Sequence, residues 1–216
     1  MINKILSQEI FQKISELSKN SMQTLDPAHD YSHVLRVLNN CIKIASVEGG
    51  DLEILTAAAF LHDICNFPKN HPKRKFSSEE SAKKAEEILL ENGFDQNKIE
   101  KVKEAILCHS FSRGLIPQSL EGKIFQDADR LDAIGAIGTA RAYATGASFK
   151  AKLYSIQDPF CKSKRKLNDK ENTLDHFSVK LFNLEKTMLT QTGKKLAQER
   201  NAFMKIFVQN LEKELL

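Results

Sequence analysis

A chain of 216 residues with 41% hydrophobic content can bury one substantial core, or one core and a small lobe, without disulfide support. Its 32 basic and 28 acidic residues leave a formal charge of only +4, too small by itself to argue for a nucleic-acid partner. No stretch approaches the roughly 18 apolar residues of a spanning helix and Met1–Ser7 lacks a long apolar run, so no membrane partner and a cytoplasmic location are expected.

Apolar residues recur at helical spacing almost throughout, which predicts an all-α fold. After a first stripe of Ile5, Ile10, Phe11, Ile14 and Leu17, Asp30 or Ser32 can cap a helix carrying His33 and Arg36 that stops at Gly49-Gly50. Asp51 then caps a helix from Leu52 to about His62. A polar, Pro-containing loop from Phe67 to Phe76 follows, and Ser77-Ser78-Glu79-Glu80 opens the next helix with capping residues and early carboxylates, ending at Asn92-Gly93. Asp95 starts a helix to about His109, and Ser110 to Ser119 reads as a loop. Leu120 to Tyr143 is apolar and rich in Ala and Gly, as suits one central helix packed closely by its neighbours. From about 146 to 175 periodicity is lost in a polar, basic stretch expected to be a flexible surface loop, and helix returns from about Leu174 to the end with Thr192-Gly193 as a bend. With no internal repeat or composition break, the chain reads as a single domain: a helical core over about 26–145, the loop over about 146–175, and a C-terminal helical extension over about 175–216. The cysteines, Cys41, Cys65, Cys108 and Cys161, lack CxxC spacing and read as reduced, mostly core thiols. An apolar stripe of Phe203, Ile206, Phe207 and Leu211 suits either core or a homodimer interface.

The chemistry concentrates in His33, the doublet His62-Asp63, and an Asp within Gln126-Asp127-Ala128-Asp129-Arg130-Leu131-Asp132. A His and an Asp side by side after an apolar run are an unfavourable core choice unless a partner satisfies both, and a divalent cation would. Imidazole with carboxylate suits borderline to hard divalent ions such as manganese, iron, zinc or magnesium, and the imidazole argues against a pure magnesium cage. Adjacent helical residues point about 100° apart, so a doublet serving one ion belongs at a helix end, where Asn66, Phe67 and Pro68 put it.

These strings resemble the HD-domain superfamily of metal-dependent phosphohydrolases, whose pattern is a His, a later His-Asp doublet and a distant Asp. Ala28-His29-Asp30-Tyr31-Ser32-His33, Ala59-Phe60-Leu61-His62-Asp63, Asp127-Ala128-Asp129-Arg130-Leu131-Asp132-Ala133-Ile134-Gly135 and Asp175-His176-Phe177 with Lys180-Leu181 are similar to the small bacterial HD hydrolases, over roughly His29 to Leu184. The resemblance implies an HD-type helical domain, one divalent metal held by His33, His62, Asp63 and Asp129, and cleavage of nucleoside triphosphates to monophosphate and pyrophosphate. Asp129 is preferred to Asp127 because it stands in Ala-Asp-Arg-Leu, the form the family's ligand takes. Mn2+ is the preferred ion, with Mg2+, Fe2+, Zn2+, Co2+ or Ni2+ as alternatives.

In that scheme the candidate phosphate-binding residues are Arg36, one turn from His33, then Lys69 and Lys73 after the doublet, and Lys180. His109 is the candidate proton donor or acceptor, and Asp132, one turn beyond Asp129, the candidate for orienting a ligand or water. The substrate is expected to be a small anion, a nucleotide above others. The rival readings are a phosphodiesterase or 5'-nucleotidase-type phosphomonoesterase, and a non-catalytic nucleotide sensor with a structural metal.

Overall fold

The computed structural model of the protein describes residues 2–22, 30–65, 67 and 72–215. These residues are all-α: α1 (Ile2–Leu6), α2 (Glu9–Ser21), α3 (Tyr31–Glu48), α4 (Leu52–Leu61), α5 (Ser77–Glu91), α6 (Gln96–His109), α7 (Leu120–Asp132), α8 (Gly135–Ser148), α9 (Asp175–Val179) and α10 (Gln191–Leu215), with 3-10 turns at Pro72–Phe76, Phe111–Arg113 and Leu181–Thr187. The β pairing among them is one isolated parallel bridge, Lys152 to Asn172. None of the described helices is long and apolar enough to cross a membrane. The chain divides after Asp129 into two compact units.

The first unit is organised around α4, which is buried on every side from Ile54 to Leu61. A helix apolar all round must be enclosed by others, and α1, α2, α3, α5 and α6 all pack on it. Its start is set by Asp51, whose carboxylate accepts from the Glu53 N–H at 2.8 Å. Asp30 does the same for α3, accepting from the His33 N–H at 3.0 Å, and Asp95 for α6, accepting from Asn97 N–H at 2.9 Å. The start of α5 differs from the sequence reading. Its N-cap is Phe76, with no side-chain cap, because the preceding 3-10 turn already supplies helical backbone; Ser77 instead accepts from Phe67 N–H at 3.4 Å.

In the second unit α8 packs on α10, and Phe177 stacks on Phe207 with ring centroids 6.0 Å apart. Phe207 is therefore partly core, while Phe203 and Ile206 on the same helix stay exposed. The expected continuous helix from Leu120 to Tyr143 is broken between Asp132 and Gly135. Gly135 adopts φ +79°, and a Cβ there would meet the Arg200 side chain at 3.0 Å, so the break depends on a residue that turns left-handed and leaves room. The C-terminal helix is likewise interrupted: α10 begins only at Gln191, where Thr190 Oγ accepts from the Gly193 N–H at 2.9 Å. Residues 149–174 carry no helix. They are tied down by main-chain bonds from Lys152 to Glu171 (2.8 Å) and from Thr173 to Lys152 (2.9 Å) and by the Arg165–Asp175 pair, 2.6 and 2.7 Å long.

Candidate metal centre

Three elements of the first unit deliver the centre. His33 lies in the first turn of α3, His62 is the C-cap residue of α4, and Asp129 lies near the end of α7. His62 Nδ1 is 2.8 Å from the Ala59 carbonyl. A carbonyl only accepts, so Nδ1 carries the proton and Nε2 keeps its lone pair. That Nε2 lies 3.2 Å from His33 Nε2, and His33 Nε2 lies 3.5 Å from Asp129 Oδ1. The ligand atoms of His33, His62 and Asp129 all fall within 4.8 Å of one another.

The donor set fits a divalent cation. Metal–nitrogen and metal–oxygen bonds of about 2.0–2.2 Å put neighbouring ligand atoms about 3–3.5 Å apart, the spacing found along His62, His33 and Asp129. Converging lone pairs and a carboxylate in a nearly closed pocket need a positive partner. Asp63 stands beside this triple, with Oδ2 3.7 Å from His62 Nε2 and Oδ1 3.9 Å from His109 Nε2. Asp127 is fully buried and is not part of the triple, as its helical offset of about 200° from Asp129 requires. Cys41 is not among the converging ligand atoms, and burial pushes its thiol pKa up.

His109 closes α6 in the same manner as His62 closes α4. Its Nδ1 lies 2.6 Å from the Ile106 carbonyl, which leaves Nε2 turned toward Asp63. Burial holds its imidazole below the usual histidine range and outweighs the opposing pull of Asp129 and Asp63. Phe125, fully buried on α7, sets its ring edge-on to both histidines, 5.5 Å from His62 and 6.2 Å from His109. The imidazoles are thereby walled in, whereas the Asp129 side chain is 22% exposed. The open side of the centre is its carboxylate side.

The remaining candidates divide by position. Arg36 donates to Ser32 Oγ at 2.6 Å, and Ser32 donates to Asp30 at 2.6 Å, so a chain of hydrogen bonds steadies it one turn from His33. Lys73 is exposed in the 3-10 turn after the doublet; Lys69 lies outside the described residues, as do His29 and His71. In the second unit Lys180 ends α9. Asp132 is buried there and accepts from Arg141 at 2.7 Å. Two side chains not singled out from sequence support the centre: Phe125, and Gln126, whose Nε2 donates to the Cys108 carbonyl at 2.6 Å and the Leu115 carbonyl at 2.9 Å. Gln126 offered one signal, a polar residue within a buried helical run.

Residues 30–134 match the model of the HD domain. The chain is 36% identical over 191 residues to the uncharacterized protein YpgQ of Bacillus subtilis (strain 168), covering 87% of this chain and 84% of YpgQ. The crystal structure of Bacillus subtilis YpgQ in complex with ADP superposes with a TM-score of 0.71 at 30% identity, over 94% of this chain and 93% of that one. An HD-superfamily hydrolase from Bacillus thuringiensis gives a TM-score of 0.72 at 29% identity, over 98% and 96% of the two chains.

Proposed function

This chain belongs to the HD-domain superfamily of metal-dependent phosphohydrolases, and from that premise we propose that it hydrolyses nucleoside triphosphates to monophosphate and pyrophosphate. The observation that carries the reading is the meeting of His33 Nε2, His62 Nε2 and Asp129 within 4.8 Å behind a partly exposed carboxylate edge. The ADP bound to YpgQ supports a nucleotide, since ADP presents the α and β phosphates between which the cut would fall.

We assign His33, His62, Asp63 and Asp129 to hold one ion, Mn2+ preferred, because mixed imidazole and carboxylate ligands suit borderline to hard divalent cations. That ion supplies polarisation of a phosphoryl oxygen and a bound water acidic enough to give hydroxide near neutral pH. The Ala59 carbonyl keeps His62 in the tautomer that presents Nε2. Neutral His109, fixed by the Ile106 carbonyl, accepts the proton of the attacking water at Nε2 and returns it to solvent or the leaving oxygen. Arg36, Lys69, Lys73 and Lys180 neutralise charge on the phosphate chain as the bond to pyrophosphate breaks. Asp132, held by Arg141, is assigned to orientation.

The test is product analysis of a panel of nucleotides incubated with the purified chain and Mn2+, using ion-exchange chromatography. Nucleoside monophosphate and pyrophosphate in equal amounts support the proposal. Nucleoside with inorganic phosphate would assign a phosphomonoesterase instead, and saturable binding without product would assign a sensor.

A further inference from the structure

One buried polar contact joins the two helices that carry His33 and Asp129. Asn40 is 4% exposed, on α3 between the buried Val37, Cys41 and Ile44, and its Nδ2 donates to the Ala128 carbonyl of α7 at 3.0 Å across 88 residues of sequence. Seven residues are close to two helical turns, so Asn40 lies on the same face of α3 as His33. On the other side, Ala128 immediately precedes Asp129. The bond therefore links a point two turns from one candidate ligand to the residue next to another.

The Ala128 carbonyl does not require this donor. It lies four residues before Asp132 in α7 and has a helical partner of its own. An apolar side chain of similar size would fill the space without burying an amide, whose desolvation is unfavourable. What the amide adds is register. Apolar helix faces fit one another in more than one way, and sliding α7 by one turn would move Asp129 by about 5.4 Å, more than the whole 3.5 Å separating Asp129 from His33. A directional bond at Ala128 selects one of those fits.

We propose that Asn40 is a positioning residue that sets α7 against α3 so that Asp129 meets His33 around the cation. The proposal rests on the metal-site reading above and adds a determinant of it. It is tested by cobalt titration of the full chain followed by visible absorbance, comparing wild type, Asn40→Leu, Asn40→Ser and Phe11→Leu. Asn40→Leu keeps the volume and removes the donor; Asn40→Ser is too short to reach Ala128 and serves if the leucine variant does not fold. Phe11, buried against Phe94 with centroids 6.1 Å apart, gives a variant destabilised away from the centre. Both Asn40 variants, folded by circular dichroism, are expected to bind cobalt about 10- to 100-fold more weakly with altered absorption bands, and to lower kcat with little change in KM. Phe11→Leu is expected to bind cobalt like wild type. Wild-type cobalt affinity and spectrum in the Asn40 variants would overturn the proposal alone, as would an equal loss in Phe11→Leu. A wild-type chain that binds no cobalt would overturn the metal-site reading and the proposal with it.

Discussion

Truncating Phe125 to alanine removes the wall against which two of the histidines are set. The ring is fully buried, and Phe→Ala in a closed core destabilises by about 3–5 kcal/mol, because lost burial and a residual cavity add. Its edge contacts with His62 at 5.5 Å and His109 at 6.2 Å belong to a class worth about 0.5–1.5 kcal/mol each, which favours the upper half of that range. At about 2–4 °C per kcal/mol for a chain of this size, the midpoint of thermal unfolding should fall by about 6–20 °C. Circular dichroism at 222 nm is the suitable probe, since the chain contains no Trp. Val47→Ala, at a position 73% exposed, should change stability by less than about 0.5 kcal/mol. Phe125→Ala should also weaken divalent-ion binding, since the imidazole of the ligand His62 gains freedom to turn. A melting point within about 2 °C of wild type would refute the claim that Phe125 holds the histidines in place.

Arg165→Ala strips the buried Asp175 carboxylate of both hydrogen bonds from its partner; an unpaired buried charge costs about 3–5 kcal/mol, and partial solvent access at Arg165 reduces this to about 2–3 kcal/mol, readable in urea denaturation. Burial pushes the Asp175 pKa up, but hydrogen bonds from Arg165 and the Asn168 N–H outweigh it and hold the carboxyl below its ordinary value. Its folded pKa being the lower one, the pair's stabilisation is present above the ordinary carboxylate pKa of about 3.9 and is lost as pH falls through the folded value; the acid limb of a stability–pH curve should flatten in Arg165→Ala. Gly138→Ala should destabilise, although Ala normally improves a helix by about 1 kcal/mol, because its Cβ would meet the Ala133 carbonyl oxygen at 2.2 Å. A raised melting temperature in that variant would show that the turn between α7 and α8 gives way freely.

Local signals were legible where one residue settles the local geometry. Asp30, Asp51 and Asp95 cap the helices their positions announce, and the His62-Asp63 doublet stands at a helix end as its two-sided polarity demands. The break between α7 and α8 was hidden, because an apolar run rich in Ala and Gly looks the same whether the helix continues or turns; Arg200, far along the chain, packs at Gly135. Ser77 misled for a related reason, since a serine caps only when the chain before it is not already helical. Within the centre, ligand types could be read from sequence, but the residues that orient them could not. Phe125 and Gln126 matter through partners elsewhere in the chain; in its own neighbourhood Phe125 looks like ordinary core, and Gln126 stands out only as a polar residue in a buried run. The bonds that Asp158, Arg165 and Asp175 make within the stretch read as a loop over about 146–175 follow no periodic pattern, so the sequence did not announce them.

The account depends on one cation held by ligands from α3, the end of α4 and α7. Equilibrium dialysis against Mn2+ with metal counted by mass spectrometry, on wild type and on His33→Ala, His62→Ala and Asp129→Asn, addresses this directly. One ion per chain in wild type is predicted, with each substitution weakening binding by at least about 100-fold, the upper end of what loss of a mere supporting contact produces. One ion per chain at undiminished affinity in all three variants would contradict it.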